Sequence, residues 1–268
     1  MEDSSFRSRV LSGEALLGCF LTWPVQGVPE VLALANFDFV VLDAEHGFFS
    51  IESIESMVRA CDGVGLPSIV RVPSCPAAET GRSLDAGAIG VLFPRAENAE
   101  VARLGLETAR YAPLGKRGLA GVRANRYGTI PLDEFVVSAN ANTLVVVQIE
   151  TAGALRDVEA VAQLEGCDVL YVGPNDLTFA LGIPGKYMDA RYQQALARVA
   201  DAARKAGKAA GIMLARADQI PPLREMGFSF FTMSDRVLIL ESARLWRGAL
   251  PYGLASERLR ADSPKAES

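Results

Sequence analysis

The 268-residue chain is poor in the residue types that mark several common chemistries. It has one histidine, His46, and four cysteines, Cys19, Cys61, Cys75 and Cys167, with no CxxC or CxxH spacing. That spread excludes a zinc cluster and, in a chain of this length, a disulfide framework. The thiols are expected reduced and mostly buried, as in a cytosolic protein. Positive charge is not in excess: 27 Lys and Arg against 32 Asp and Glu leave a formal net charge of −5. No basic face for nucleic-acid phosphates is expected. No apolar run approaches the length of a membrane span. The opening MEDSSFRSRVLSGEA is polar and charged, unlike a secretory signal. The expectation is a soluble, cytoplasmic, one-domain protein, with the domain over 1–252 and a polar, flexible tail over 253–268.

What the sequence does have is a recurring short apolar run. In order these are 16–22 (LLGCFLT), 39–46 (FVVLDAEH), 68–73 (SIVRVP), 88–94 (AIGVLFP), 143–150 (TLVVVQIE), 168–174 (DVLYVGP), 209–215 (AAGIMLA) and 228–234 (FSFFTMS). Continuous apolar segments of this length fit strands buried on both faces of a parallel sheet. Between them lie stretches with apolar residues at spacings of three and four, such as SIESIESMVRACDGVG and ARYQQALARVADAARKAG, several of them ending at Gly. Eight strands alternating with helices predict an α/β fold, a (β/α)8 TIM barrel in one domain. The competing doubly wound sheet would carry a GxGxxG after its first strand or a P-loop, and neither is present. Nearly fifty residues separate the fourth and fifth runs, and their stretch PLGKRGLAGVRANRYGTIP holds Lys116, Arg117, Arg123 and Arg126. A segment this long is expected to be a functional lid or binding loop.

In such a barrel the active site lies at the carboxyl ends of the strands, so the polar residues that end the apolar runs are the candidates. The second run ends in Asp43, Glu45 and His46, the third carries Arg71, and the fifth ends in Gln148 and Glu150. The sixth reaches Gly173, Pro174, Asn175 and Asp176. Gln148 and Glu150 are two apart on a strand and share a face. Glu150 and Asp176 end successive strands, and two neighbouring carboxylates suit a hard cation, Mg2+ or Mn2+. For Asp176 the alternative is capping the following helix. An arginine inside an apolar strand needs a partner, so Arg71 either meets an internal acid or binds an anion at the mouth. His46, beside two carboxylates, can move a proton near neutral pH. A cation, an arginine and one histidine suit a 2-oxo acid and its enolate. No lysine ends a strand, which argues against Schiff-base chemistry.

The stretches VVLDAEHG (40–47), VRVP (70–73), VVVQIET (145–151) and YVGPNDLTFALG (171–182) resemble the HpcH/HpaI family of class II pyruvate aldolases. LDAGAIGVLFP (84–94) and APLGKRGLAG (112–121) match in kind and order, so the resemblance spans about residues 12–250. It implies that Glu150 and Asp176 hold a divalent metal, Mg2+ or Mn2+ with Co2+ as a further candidate. It implies that Arg71 binds the pyruvate carboxylate or keto oxygen, and that Asp43 positions the catalytic groups. His46 would be paired with Asp85 supplied by a neighbouring subunit. Gln148 and the Gly173–Pro174–Asn175 backbone would orient the donor. The family assembly is a hexamer with its last helix exchanged between subunits, here 236–250. Asn175 and the Arg95-Ala96-Glu97 stretch depart from the family pattern, which bears on donor and acceptor choice.

The resulting expectation is reversible cleavage of a 4-hydroxy-2-oxo acid to pyruvate, or hydroxypyruvate, and an aldehyde. The alternatives are an oxaloacetate decarboxylase or CoA-thioester lyase of the same superfamily, and a barrel that only binds a small metabolite.

Overall fold

All eight apolar runs become parallel strands: β1 Leu16–Leu21, β2 Phe39–Asp43, β3 Ser68–Arg71, β4 Gly90–Phe93, β5 Leu144–Ile149, β6 Val169–Val172, β7 Ala209–Met213 and β8 Phe228–Ser234. In the computed structural model, which describes residues 5–250, each strand pairs with the next and β8 closes on β1. The result is the predicted (β/α)8 barrel in a single domain. The 253–268 tail lies outside the described residues.

Local chemistry sets the helices between strands. The helix Ile51–Gly63 opens on a reciprocal cap, with Ser50 accepting from the Ser53 amide and Ser53 accepting from the Ser50 amide. It buries Ile54, Met57, Val58 and Cys61, one stripe at helical spacing. Asn98 caps Ala99–Ala109 and Asp189 caps Ala190–Lys205 by simpler one-way bonds, accepting the Val101 and Arg191 amides.

Alternation along the strands produces two cores. Outward residues such as Val40, Leu42, Val70, Val145 and Val147 pack beneath the helices. Inward residues, among them Leu16, Phe20, Phe39, Val41, Ile69, Leu92, Val146, Val169, Tyr171 and Phe230, fill the barrel. The Phe39 and Phe230 rings stack at 4.3 Å, and Phe39 occupies the space a side chain at position 18 would need. Each such fully buried apolar side chain contributes roughly 1.5–3 kcal/mol. The inward parity also decides what stands at the mouth. After Phe39 and Val41 comes Asp43; after Ile69, Arg71; after Leu144 and Val146, Gln148 and Glu150; after Val169 and Tyr171, Gly173.

The 112–131 segment does not cover that mouth. It follows the helix Ala99–Ala109 and precedes the helix Leu132–Asn142, so it runs along the rim where strands begin. Three of its four cations are fixed there: Lys116 to Glu107, Arg117 to Asp85, and Arg123 to Asp62. The expected lid instead walls a cavity of about 820 Å3 at the amino rim, beside Gly87, Ala88, Asn142 and Thr143.

The last helix, Asp235–Gly248, packs little against its own barrel. Ile239, Leu240, Leu245 and Trp246 are exposed, and Leu238 alone of its apolar residues touches the core.

Candidate active site

A cavity of about 550 Å3 opens at the carboxyl ends of the strands. Its lining includes Asp43, His46, Arg71, Gln148, Gly173, Pro174, Asn175 and Asp176. Strand parity thus brings Asp43, Arg71 and Gln148 to one cavity, and the turns after β2 and β6 add His46 and Gly173–Asp176, whereas Glu150, beside Gln148, is not among the lining residues.

Arg71 is the anchor of the floor. Its Nε and Nη2 donate to the two oxygens of Asp43 at 2.8 and 2.6 Å, and its Nη1 lies 3.0 Å from Glu45 Oε2. The guanidinium centre lies 4.9 Å from the centroid of the Phe20 ring. Burial works against its charge, but the hydrogen bonds and charge of Asp43, with the charge of Glu45, hold its pKa above the ordinary value. Asp43 also accepts the Glu45 and His46 amides at 3.1 Å each, which fixes the turn that presents the histidine. Arg71 therefore meets internal acids and faces the cavity at once; the two readings of it are not exclusive.

Glu150 is buried at the end of β5. Its Oε1 accepts the Arg95 amide at 2.7 Å, and its Oε2 takes a short hydrogen bond from the Gln148 side chain. Arg95 has a φ of +50°, so the loop after β4 bends through a left-handed residue to aim that amide. Burial pushes the Glu150 carboxyl up to about 7, with Glu45 and Asp176 adding repulsion. Burial also raises Glu45. Asp176 lies in the first turn of the helix Pro174–Ala180, and no side chain caps that helix, so capping does not account for it. Gly173 has no room for a side chain: a Cβ there would stand 2.6 Å from both Glu150 Oε2 and Gln148 Nε2.

Among the described residues no three His, Cys, Asp or Glu form a metal-binding group. The site nonetheless fits a hard cation that takes two protein carboxylates and keeps its other positions for water or substrate. Glu150, Glu45 and Asp176 repel one another, and the buried Gln148 Oε1 has no partner.

His46 is exposed over 63% of its side chain, and its Nε2 is 3.8 Å from Glu45 Oε1. Asp85 does not join this cavity within the chain. It ends the helix Glu79–Asp85, just ahead of β4 at the amino rim, and pairs with the buried Arg117 at 2.7 Å. Several lining residues escaped the sequence reading. Thr22 after β1, Tyr187 and Met188 beyond the helix Pro174–Ala180, and Arg236 in the last helix all face the cavity. The Tyr187 hydroxyl donates to Asn175 Oδ1 at 2.6 Å. Leu214 and Ala215, which end the seventh run, supply an apolar wall. Buried Asp235 accepts the Thr22 amide at 2.6 Å and the Thr22 hydroxyl at 3.0 Å, tying β8 to β1.

The chain is similar to several known proteins. A hydroxypyruvate/pyruvate aldolase of Paraburkholderia phytofirmans is 38% identical over 239 residues, which are 87% of this chain and 91% of that protein. A 4-hydroxy-2-oxovalerate aldolase of Novosphingobium aromaticivorans is 35% identical over 215 residues, 78% of this chain and 80% of its own length. The crystal structure of an HpcH/HpaI aldolase/citrate lyase family protein from Burkholderia cenocepacia J2315 superposes with a TM-score of 0.84 at 33% identity, covering 90% of this chain and 97% of that one. The family model for HpcH/HpaI aldolase/citrate lyase matches residues 16–234, from the first strand to the end of the last, and the chain belongs to that family.

Proposed function

We propose that the protein is a carbon–carbon lyase that reversibly cleaves a 4-hydroxy-2-oxo acid into pyruvate, or hydroxypyruvate, and an aldehyde. The observation that carries this reading is one buried guanidinium, Arg71, lining the cavity with Asp176 while buried Glu150 lies near enough to both to feel their charge; neither carboxylate has an ion-pair partner among the described residues. Glu150 and Asp176 would hold a divalent cation, Mg2+ or Mn2+, with Gln148 beside them. Bound there, the cation would draw charge from the 2-keto oxygen and make the enolate less costly.

The chain's own groups do the rest. Arg71 takes the donor's carboxylate or keto oxygen, and Asp43 holds the guanidinium in place. The Gly173–Asn175 backbone passes close to the donor because position 173 carries no side chain. His46 accepts the proton of the C4 hydroxyl. The C3–C4 electron pair then moves into the pyruvate half, the aldehyde leaves, and a proton returned to C3 completes pyruvate. A histidine so exposed needs a second group to orient it, and we assign that role to Asp85 of the partner subunit. The exposed apolar face of Asp235–Gly248 supports assembly of several copies through that helix, as a homo-oligomer, for which we take the hexamer. No helix among the described residues is long and apolar enough to cross a membrane.

The test is exchange of the pyruvate methyl protons in D2O, followed by NMR with and without Mg2+. Metal-dependent exchange that disappears in Glu150→Ala is expected. No exchange with either pyruvate or hydroxypyruvate would overturn the reading.

A further inference from the structure

We propose that the cavity at the amino rim is a second ligand site, for a compound with one carboxylate and an apolar or aromatic body. The cavity holds about 820 Å3 and shares no lining residue with the catalytic cavity at the opposite rim. Its walls come from the helix Ile51–Gly63, the approach to β4, the 112–131 loop and the helix Leu132–Asn142. The proposal is independent of the aldolase reading.

Four arginines line it: Arg59, Arg117, Arg123 and Arg126. Three have a single carboxylate each, Arg59 with Glu55 at 2.7 Å, Arg117 with Asp85 at 2.7 Å and Arg123 with Asp62 at 2.6 Å. A guanidinium carries five N–H donors, so these pairs leave donors over. Arg117 is more than nine-tenths buried, gives one side-chain hydrogen bond, to Asp85, and its Nε has no partner. A buried charge held by one tether is costly, and an anion bound beside it would offset that cost. Arg123 lies across Gly87, where any side chain would collide with its guanidinium, and Nη1 donates to the Ala86 carbonyl at 2.9 Å. Arg126 has no carboxylate within ion-pair distance among the described residues, unlike the other three cations of its loop.

The backbone around Arg126 is held in place. Arg126 and Tyr127 have φ of +52° and +58°, two successive left-handed residues that are not glycine. Such a pair persists only where its surroundings over-determine it. Fully buried Asn125 does so: its Oδ1 accepts the Val122 and Gly128 amides at 2.9 Å each, and its Nδ2 donates to the Ala120 carbonyl at 2.8 Å. The Tyr127 hydroxyl accepts from Arg59 Nη2 at 2.9 Å, which ties the loop to the helix Ile51–Gly63.

The other lining residues set the ligand class. Asp62 and Glu134 also face the cavity, so a polyanion would meet repulsion where a single carboxylate would not. Leu84, Ile89, Ile130 and Phe135 give an apolar wall for the rest of the molecule. A mostly apolar cavity of this size with a few convergent polar groups is the usual form of a small-molecule site.

The experiment titrates the assembled protein with 4-fluorophenylacetate and, separately, with the neutral 4-fluorophenylacetamide, each followed by fluorine NMR. Saturable binding of the acid, about fivefold or more tighter than the amide, is expected, the effect of one hydrogen bond to a charged group at an open site. Arg126→Asn removes the charge and suits a left-handed residue. It should weaken the acid by a similar factor and leave the amide unchanged. Ala139→Phe, which fills the cavity from the helix Leu132–Asn142, should abolish binding of both while far-ultraviolet dichroism shows the barrel retained. Saturating pyruvate with Mg2+ should not displace the acid. Displacement would place the acid at Arg71 and overturn the proposal. Equal affinity in wild type and Arg126→Asn, undiminished binding in Ala139→Phe, or no saturable binding in wild type would overturn it as well.

Discussion

Arg71 grips Asp43 through two parallel hydrogen bonds, Nε to Oδ1 at 2.8 Å and Nη2 to Oδ2 at 2.6 Å, while Nη1 reaches Glu45 at 3.0 Å. All three side chains are nearly enclosed. Removing the arginine strands two acids at once, and breaking a buried pair costs roughly 3–5 kcal/mol. Arg71→Ala is therefore expected to abolish turnover and also to lower the melting temperature clearly. Arg71→Met combined with Asp43→Asn should recover part of the stability without recovering turnover. Calorimetry and a coupled pyruvate assay on the same samples check both halves.

Glu150 links stability to pH in the metal-free protein. Its folded pKa, about 7, lies above the ordinary value of 4.5, chiefly because it is buried. A raised pKa means the folded state binds the proton more tightly. The stability this gives is complete below pH 4.5 and is lost as pH rises through about 7. Glu150→Gln, which cannot ionise, should exceed wild type at pH 8 in the presence of chelator by on the order of 2–3 kcal/mol. A chelated wild type as stable as the variant at pH 8 would remove this account. Added Mg2+ should reverse the order, because the ion binds only the ionised carboxylate.

Gly173 is expected to tolerate no side chain. A Cβ would stand 2.6 Å from Glu150 Oε2 and from Gln148 Nε2, so either the carboxylate or the strand end must move. Gly173→Ala should weaken Mg2+ binding by about tenfold or more, the scale seen when groups orienting metal ligands are disturbed. Titration calorimetry reads the affinity, and far-ultraviolet dichroism should show the barrel retained.

The Asn175–Tyr187 hydrogen bond joins the donor wall to a loop from outside the strands. Asn175→Ala and Tyr187→Phe should each change the ratio of hydroxypyruvate to pyruvate use, in the same direction, since both break one contact. Ratios equal to wild type in both variants would remove this pair from donor choice.

Asp85 gives a test of assembly. Within a chain it sits at the amino rim with Arg117, apart from the His46 cavity. His46→Ala and Asp85→Asn chains should each be nearly inactive alone. Co-expressed, they should regain activity, because some sites would then combine an intact His46 with an intact Asp85 from the neighbour. Mixed assemblies without recovery would argue against a shared site.

The strands and much of the site were legible because one rule served both. A strand buried on two faces reads as an unbroken apolar run, and a polar residue that ends such a run with inward parity stands at the mouth. Asp43, Arg71, Gln148 and Glu150 follow that rule directly. Tyr187 and Arg236 do not, since nothing in their local sequence says which way a loop or a helix start will lean; only packing against Asn175, Thr22 and the His46 turn decides it. Arg95 contributes through its amide, and backbone roles leave little trace in residue type. The 112–131 loop was readable in one respect that the sequence reading passed over. It joins the helix Ala99–Ala109 to the helix Leu132–Asn142, which leads into β5, and in a parallel barrel the connections between one strand's helix and the next strand return to the amino rim. Its basic residues fit a functional loop by composition, whereas three of the four serve ion pairs on that rim.

The solitary, exposed imidazole at the rim has a practical consequence. Prepared without a polyhistidine tag, the protein holds one His46 and no other ring of its kind, so its Cε1 proton gives an unobstructed magnetic-resonance reporter. Its titration midpoint can be read without assignment, in the presence and absence of Mg2+, donor or acceptor. Dilution of the subunits would reveal through the same signal whether a neighbour's acid approaches the ring. The scarcity of histidine turns an otherwise crowded spectrum into a direct view of the proposed proton carrier.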